Sequence, residues 1–170
     1  NKVQRAFHYV GIDTAFHALV ELQRRANEIG MRVHLHHCDA TKAPVLAESA
    51  DIALCNFALH YFCGSKIRCT KLCEKIAMVL KPGACWCGTY EKIFGEVTWG
   101  MPFHAVIGDC VNAVEYRVPW QEFTNICYDF GLSVIFHEPF YLHANHTQEG
   151  ITGFILQKAR VLEHDTTRSG

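Results

Sequence analysis

The sequence predicts a doubly wound α/β sheet, mostly parallel, and two observations carry that prediction. Short apolar runs alternate with segments of helical period from residue 7 to residue 157, and Gly or Pro closes each helical segment. Residues 7–13 read as a buried strand, and residues 15–29 follow as a helix with Phe16, Leu19, Val20 and Leu22 on its apolar side, stopped by Gly30. Residues 31–36 and 51–55 are the next two strands. Residues 67–80 form a helix with Ile67, Leu72, Ile76, Ala77 and Leu80 at core-facing spacings, ended by Pro82-Gly83. A strand over 84–89, a helix over 119–130 ended by Gly131, and strands over 132–137 and 151–157 complete the series. In such sheets ligands sit at the carboxyl ends of the strands.

Composition sets the outer bounds. With 170 residues, 49% of them hydrophobic, the chain can bury one core, so one domain over residues 1–160 is expected, with a polar tail over 161–170. The net charge is −1 and the pI about 6.9, which excludes indiscriminate nucleic-acid binding through bulk basicity; RNA contacts have to be local. Nine cysteines without an N-terminal apolar signal segment read as reduced thiols. No apolar run approaches membrane-spanning length, so no membrane partner is expected.

Several side chains carry possible chemistry. Asp13 ends the first strand, where a carboxylate can accept both hydroxyls of a ribose or can cap the helix that follows. Phe57, His60 and Tyr61 lie just past the 51–55 strand and present two aromatic rings and an imidazole at the rim, as a purine ring requires; ordinary core packing explains Phe57, Leu59 and Phe62 equally simply. His34, His36 and His37 with Cys38, and the pairs Cys69/Cys73 and Cys85/Cys87, lack zinc-site spacing, and strand alternation splits the histidines between two faces, so no metal is expected.

The stretch Cys55-Asn56-Phe57-Ala58-Leu59-His60-Tyr61-Phe62, with Leu80-Lys81-Pro82-Gly83 leading to Gly88-Thr89, resembles the signature of the messenger-RNA cap guanine N-7 methyltransferases, Q-F-A-L-H-Y followed by K-P-G-G and G-T. The resemblance extends to Val111-Asn112-Ala113-Val114-Glu115-Tyr116-Arg117-Val118, similar to V-x-x-P-E-[FY]-x-V, and runs from Asn1 to about Gln157. Val114 stands where the family has Pro, which loosens the backbone before Glu115. It implies a class I, Rossmann-like fold and S-adenosyl-L-methionine as cofactor. By matching position, Asp13, Asp39, Asn56 and Ala58 would contact that cofactor. Phe57, His60, Tyr61 and Glu115 would form the guanine pocket, and Phe154 would fall where the family often has a cap-reaching Tyr. A carboxylate at Glu115 could accept from the guanine imino and amino hydrogens and offset the charge that grows on the ring. Guanine N-7 is nucleophilic without deprotonation, so no general base is expected; proximity and electrostatics supply the acceleration.

The implied partners are the capped 5′ end of mRNA and other subunits of the capping apparatus. The implied compartment is the nucleus for a cellular protein and the site of viral transcription for a viral one. Lys2 and Arg5 are candidate triphosphate contacts. The family's D-x-G-x-G-x-G-G cofactor loop, and the central strand before it, have no counterpart in the sequence. The sheet is therefore expected to be incomplete at its N-terminal strand, and the chain by itself to be unstable and inactive as a piece of a longer enzyme. Two other functions fit parts of the pattern: methylation of a small molecule, and a non-catalytic cap-binding or scaffold module of the same fold.

Overall fold

The computed structural model describes residues 8–92, 95–107, 111–139 and 150–160. Two compact units make up the chain, Asn1–Val45 and Leu46–Gly170. In the first, β1 (His8–Asp13) pairs in parallel with β2 (Arg32–His37), joined by α1 (Phe16–Glu28). The helix buries Leu19 and Ala26, and Gly11 leaves room for it: a Cβ there would lie 2.5 Å from Leu22 Cδ2 and 2.9 Å from Leu35 Cδ2. Glu21 bonds Arg24 and Arg25 on the open side of α1, and these guanidinium groups hold its carboxyl down at about 2.

The second unit contains a four-stranded sheet in the order β3-β4-β8-β7, formed by β3 (Ala50–Asn56), β4 (Leu80–Lys92), β7 (Leu132–Pro139) and β8 (Gly150–Lys158). β3 and β4 are parallel, whereas β8 runs antiparallel to both its neighbours, so the sheet is mixed. α2 (Lys66–Val79) makes the parallel crossover and α3 (Trp120–Asp129) precedes β7. Ser65 caps α2, its Oγ accepting from the Arg68 N–H at 3.3 Å. Pro82-Gly83 does not end this helix, as expected, but lies inside β4: the helix stops at Val79 and the strand starts at Leu80. Gly83 has φ +81°, and the pairing with β3 slips between Ala50 and Ile52, so the turn residues form a bulge.

One face of this sheet carries the core. Trp86, Tyr90, Phe154 and Leu156 meet Cys69, Leu72 and Cys73 of α2 and Phe123, Ile126 and Cys127 of α3, all buried. Trp86 packs edge-on against both Phe123 and Phe154, with centroids 5.6 Å apart in each case. The hairpin β5 (Pro102–Ile107) with β6 (Val111–Tyr116) forms a separate antiparallel pair that the element-by-element reading left out. The tail expected over 161–170 lies outside the described residues.

Candidate functional site

In the first unit the two aspartates lie at the carboxyl end of the parallel pair, since Asp13 is opposite His37 and Asp39 follows two residues later. Asp13 Oδ1 accepts the Ala15 N–H at 2.8 Å, a local turn that starts α1 and leaves the other carboxylate oxygen exposed. Asp39 Oδ1 accepts from Thr41 N at 2.9 Å and Thr41 Oγ1 at 2.7 Å. Capping and ligand binding remain compatible at Asp13. His37 Nε2 lies 2.9 Å from the Thr14 carbonyl. Among the described residues, no three His, Cys, Asp or Glu side chains form a metal-holding group.

In the second unit the motif after β3 takes an unusual backbone. Phe57 has φ +53°, in the left-handed region that a bulky residue rarely adopts, while its N–H still bonds the Thr89 carbonyl at 3.0 Å. The turn leaves Asn56 exposed at the strand end, Ala58 half-buried and the Phe57 ring 39% exposed. The 3₁₀ turn Leu59–Phe62 follows, with Tyr61 43% exposed and His60 only 1% exposed.

His60 is a backbone clasp. The Glu91 N–H donates to Nε2 at 3.0 Å, and Nδ1 lies 3.0 Å from the Tyr116 carbonyl oxygen, so the proton belongs on Nδ1. Phe103 meets the ring edge-on at 5.2 Å and Tyr90 at 6.4 Å. One side chain thereby ties the turn after β3 to β4 and to β6, next to Glu115.

Glu115 is 6% exposed, pairs across the hairpin with Phe103, and has no hydrogen-bond or ion-pair partner among the described residues. Its carboxylate oxygens are not among the enclosed polar atoms that lack a partner, so they keep access to solvent. Phe154, by contrast, is 1% exposed and enclosed by Trp86, Trp120 and Phe123, so the ring expected at the cap instead fills the core. Site residues of the second unit are therefore divided: Phe57 and Tyr61 present rings to solvent, Glu115 is 6% exposed with no partner among the described residues, His60 holds backbone, and Phe154 packs. Asp13 and Asp39 belong to the other unit.

Further groups surround the end of β4 that the sequence reading did not single out. Tyr90 Oη lies 2.8 Å from His137 Nε2, within hydrogen-bond distance, and Trp120 stacks on His137 at 3.8 Å. Burial, with Lys92 nearby, holds the His137 imidazole below its ordinary value, and burial pushes the Tyr90 phenol up. A cavity of about 350 Å³ opens there, lined by Tyr90, Glu91, Lys92, Arg117, Trp120 and Glu122 among others. Its signal in the sequence was faint: Tyr90 directly follows Gly88-Thr89, and Trp120 opens α3 after Pro119.

Comparisons with known proteins agree with this architecture. The sequence pattern of a methyltransferase domain matches residues 1–83, just under half of the chain. No curated protein matches the sequence. Among solved structures, an S-adenosylmethionine-dependent methyltransferase from Methanosarcina mazei is 15% identical with a TM-score of 0.68, over 92% of this chain and 84% of that one. The 1,6-didemethyltoxoflavin-N1-methyltransferase of Burkholderia thailandensis is 12% identical with a TM-score of 0.61, over 88% and 71%. The [4+2]-cyclase SpnF is similar too, at 16% identity and a TM-score of 0.68, over 93% and 69%. These likenesses, all below 25% identity, show the fold: the Rossmann-like fold that S-adenosylmethionine-dependent methyltransferases share.

Proposed function

We propose that this methyltransferase domain acts on the N-7 of the guanine that caps the 5′ end of mRNA. The observation that carries the reading is Glu115, a residue only 6% exposed whose carboxylate has no hydrogen-bond or ion-pair partner among the described residues, beside Phe103 and the His60 clasp. The Watson–Crick edge of guanine offers two adjacent N–H donors to such a group, and the carboxylate offsets positive charge as N-7 is methylated. Phe57 and Tyr61 are half-exposed rings, and stacking a base on such a ring is worth about 1–3 kcal/mol. S-adenosylmethionine supplies an electrophilic methyl group. In the second unit Asn56, exposed at the end of β3, is a polar group suited to its methionine part. No side chain has to take a proton, because guanine N-7 carries a free lone pair.

Methyl transfer to a small heterocycle is the second reading. It is favoured by the burial of His60 and Phe154, which removes two of the five expected contacts from a guanine, and by the similarity to a 1,6-didemethyltoxoflavin-N1-methyltransferase. Methylation assays with GpppG-capped RNA and with free guanosine separate the two. The cap reading expects N-7 methylation of the capped RNA, falling about 10²–10³-fold in Glu115→Gln. Equal use of free guanosine, or unchanged activity in that variant, overturns it.

A further inference from the structure

The cavity at the end of β4 has a use that Glu115 does not exhaust. Arg117 lines it, and its guanidinium Nε is buried without a hydrogen-bond partner. The chain position is held: the Arg117 N–H bonds the Met101 carbonyl at 2.9 Å, extending the ladder of the hairpin by one step. Lys92, exposed on the same cavity, has no ion pair among the described residues. The first turn of α3, residues 120–122, forms another wall, and Pro119 gives that turn no side-chain cap. Two acids also line the space. Glu122 is turned to the Trp99 indole N–H, accepting it at 2.5 Å, while the Glu91 carboxylate has no such partner among the described residues. The four ionisable groups nearly cancel, so an anion is drawn in by direct pairing rather than by a broad field.

We propose that this cavity is a phosphate subsite in which Arg117, assisted by Lys92, holds the triphosphate of the acceptor whose guanine edge meets Glu115. This deepens, and rests on, the cap reading. Arg117 lies two residues past Glu115, about 7 Å along an extended chain, a separation comparable with the reach from a purine across its ribose to the 5′-phosphate. The spacing is fixed by the clasp between them, since His60 bonds the carbonyl of Tyr116 and the amide of Glu91. A planar guanidinium takes two phosphate oxygens at once, which a lysine cannot do.

Inorganic tripolyphosphate is the probe, titrated calorimetrically into the chain, with the thermal unfolding midpoint followed for every variant. Arg117→Gln is expected to weaken binding at least tenfold without lowering the midpoint, Arg117→Lys to recover part of the affinity, and Glu91→Gln to tighten it by removing the opposing charge. No binding by the parent chain, or equal binding by Arg117→Gln, overturns the subsite. Should Arg117→Gln fail to fold, Lys92→Gln and Glu91→Gln decide: opposite shifts support the subsite, and unchanged affinity in both overturns it. Arg117-dependent tripolyphosphate binding without methylation of GpppG-capped RNA retains the subsite and overturns the cap reading. Methylation of that RNA with a KM indifferent to Arg117 does the reverse.

Discussion

Replacing His60 by Ala is expected to unfold the site before it alters any ligand contact. The variant leaves two main-chain groups, the Glu91 N–H and the Tyr116 C=O, without the partners they have at 3.0 Å. Each unsatisfied buried group costs about 1–2 kcal/mol, and loss of the edge contact with Phe103 adds about 0.5–1.5. The expected loss is therefore about 3–5 kcal/mol. With urea slopes of about 1–3 kcal/mol per molar, the unfolding midpoint should fall by at least about 1 M. His60→Gln, whose amide carries both a donor and an acceptor, should recover part of the loss. A stable His60→Ala chain, down by less than about 1 kcal/mol, would refute the clasp. If that variant also lost capped-RNA binding, the imidazole would be a ligand group after all.

Other consequences concern packing, protonation and thiols. Gly88→Ala places a Cβ 2.4 Å from the Cys55 carbonyl oxygen and 2.5 Å from Phe154 Cζ, so a loss of about 1–3 kcal/mol or more is expected in chemical denaturation. Trimming Phe154 to Leu in the same chain should not restore it, because the nearer atom is backbone. Burial and Lys92 depress the folded pKa of His137 below the ordinary 6.5, so the unfolded chain takes up more protons between those two values. The stabilisation is complete above pH 6.5 and is lost as pH falls through the lowered value. Thermal midpoints measured from pH 7.5 to 5 should decline, and the slope should flatten in His137→Gln; an identical slope would rule out this group as its source. The thiols of Cys63, Cys69, Cys73 and Cys127 are buried, with Cys73 and Cys127 3.6 Å apart at sulfur. Aromatic disulfide reagents should modify Cys38, Cys85 and Cys87 first, and the buried four only with denaturant, as peptide mapping would establish.

The alternation of strand and helix was legible because each of α1, α2 and α3 repeats apolar residues at helical period and follows or precedes a short apolar run. The bulge at Pro82-Gly83 was misread as a helix stop, since Pro and Gly punctuate both features and only the register with β3 distinguishes them. The β5–β6 hairpin was missed for a different reason. Its alternation is short, and its value lies in pairing Phe103 with Glu115, a contact between residues twelve apart that no local pattern reports. At the site, local sequence singled out Phe57, His60 and Tyr61, and the family resemblance added Asn56 and Glu115, but neither could assign their burial. His60 looked like an exposed imidazole, and only the distant amide of Glu91 and carbonyl of Tyr116 make it a clasp.

The unpaired strand edges bear on how the proposed cofactor contacts would be held. Among the described residues β1 pairs only with β2, and β3 pairs only with β4, so each has one edge of free amides and carbonyls. These are also the strands whose carboxyl ends carry Asp13 and Asn56. A strand pairing with either edge would satisfy its main chain and hold fixed the end from which the cofactor residue projects. Stability and cofactor affinity should therefore rise together when the chain is extended upstream by a strand and glycine-rich loop of the kind the cap methyltransferases carry. Tight binding of S-adenosylmethionine by the 170-residue chain, measured calorimetrically, would instead show that binding needs no such support.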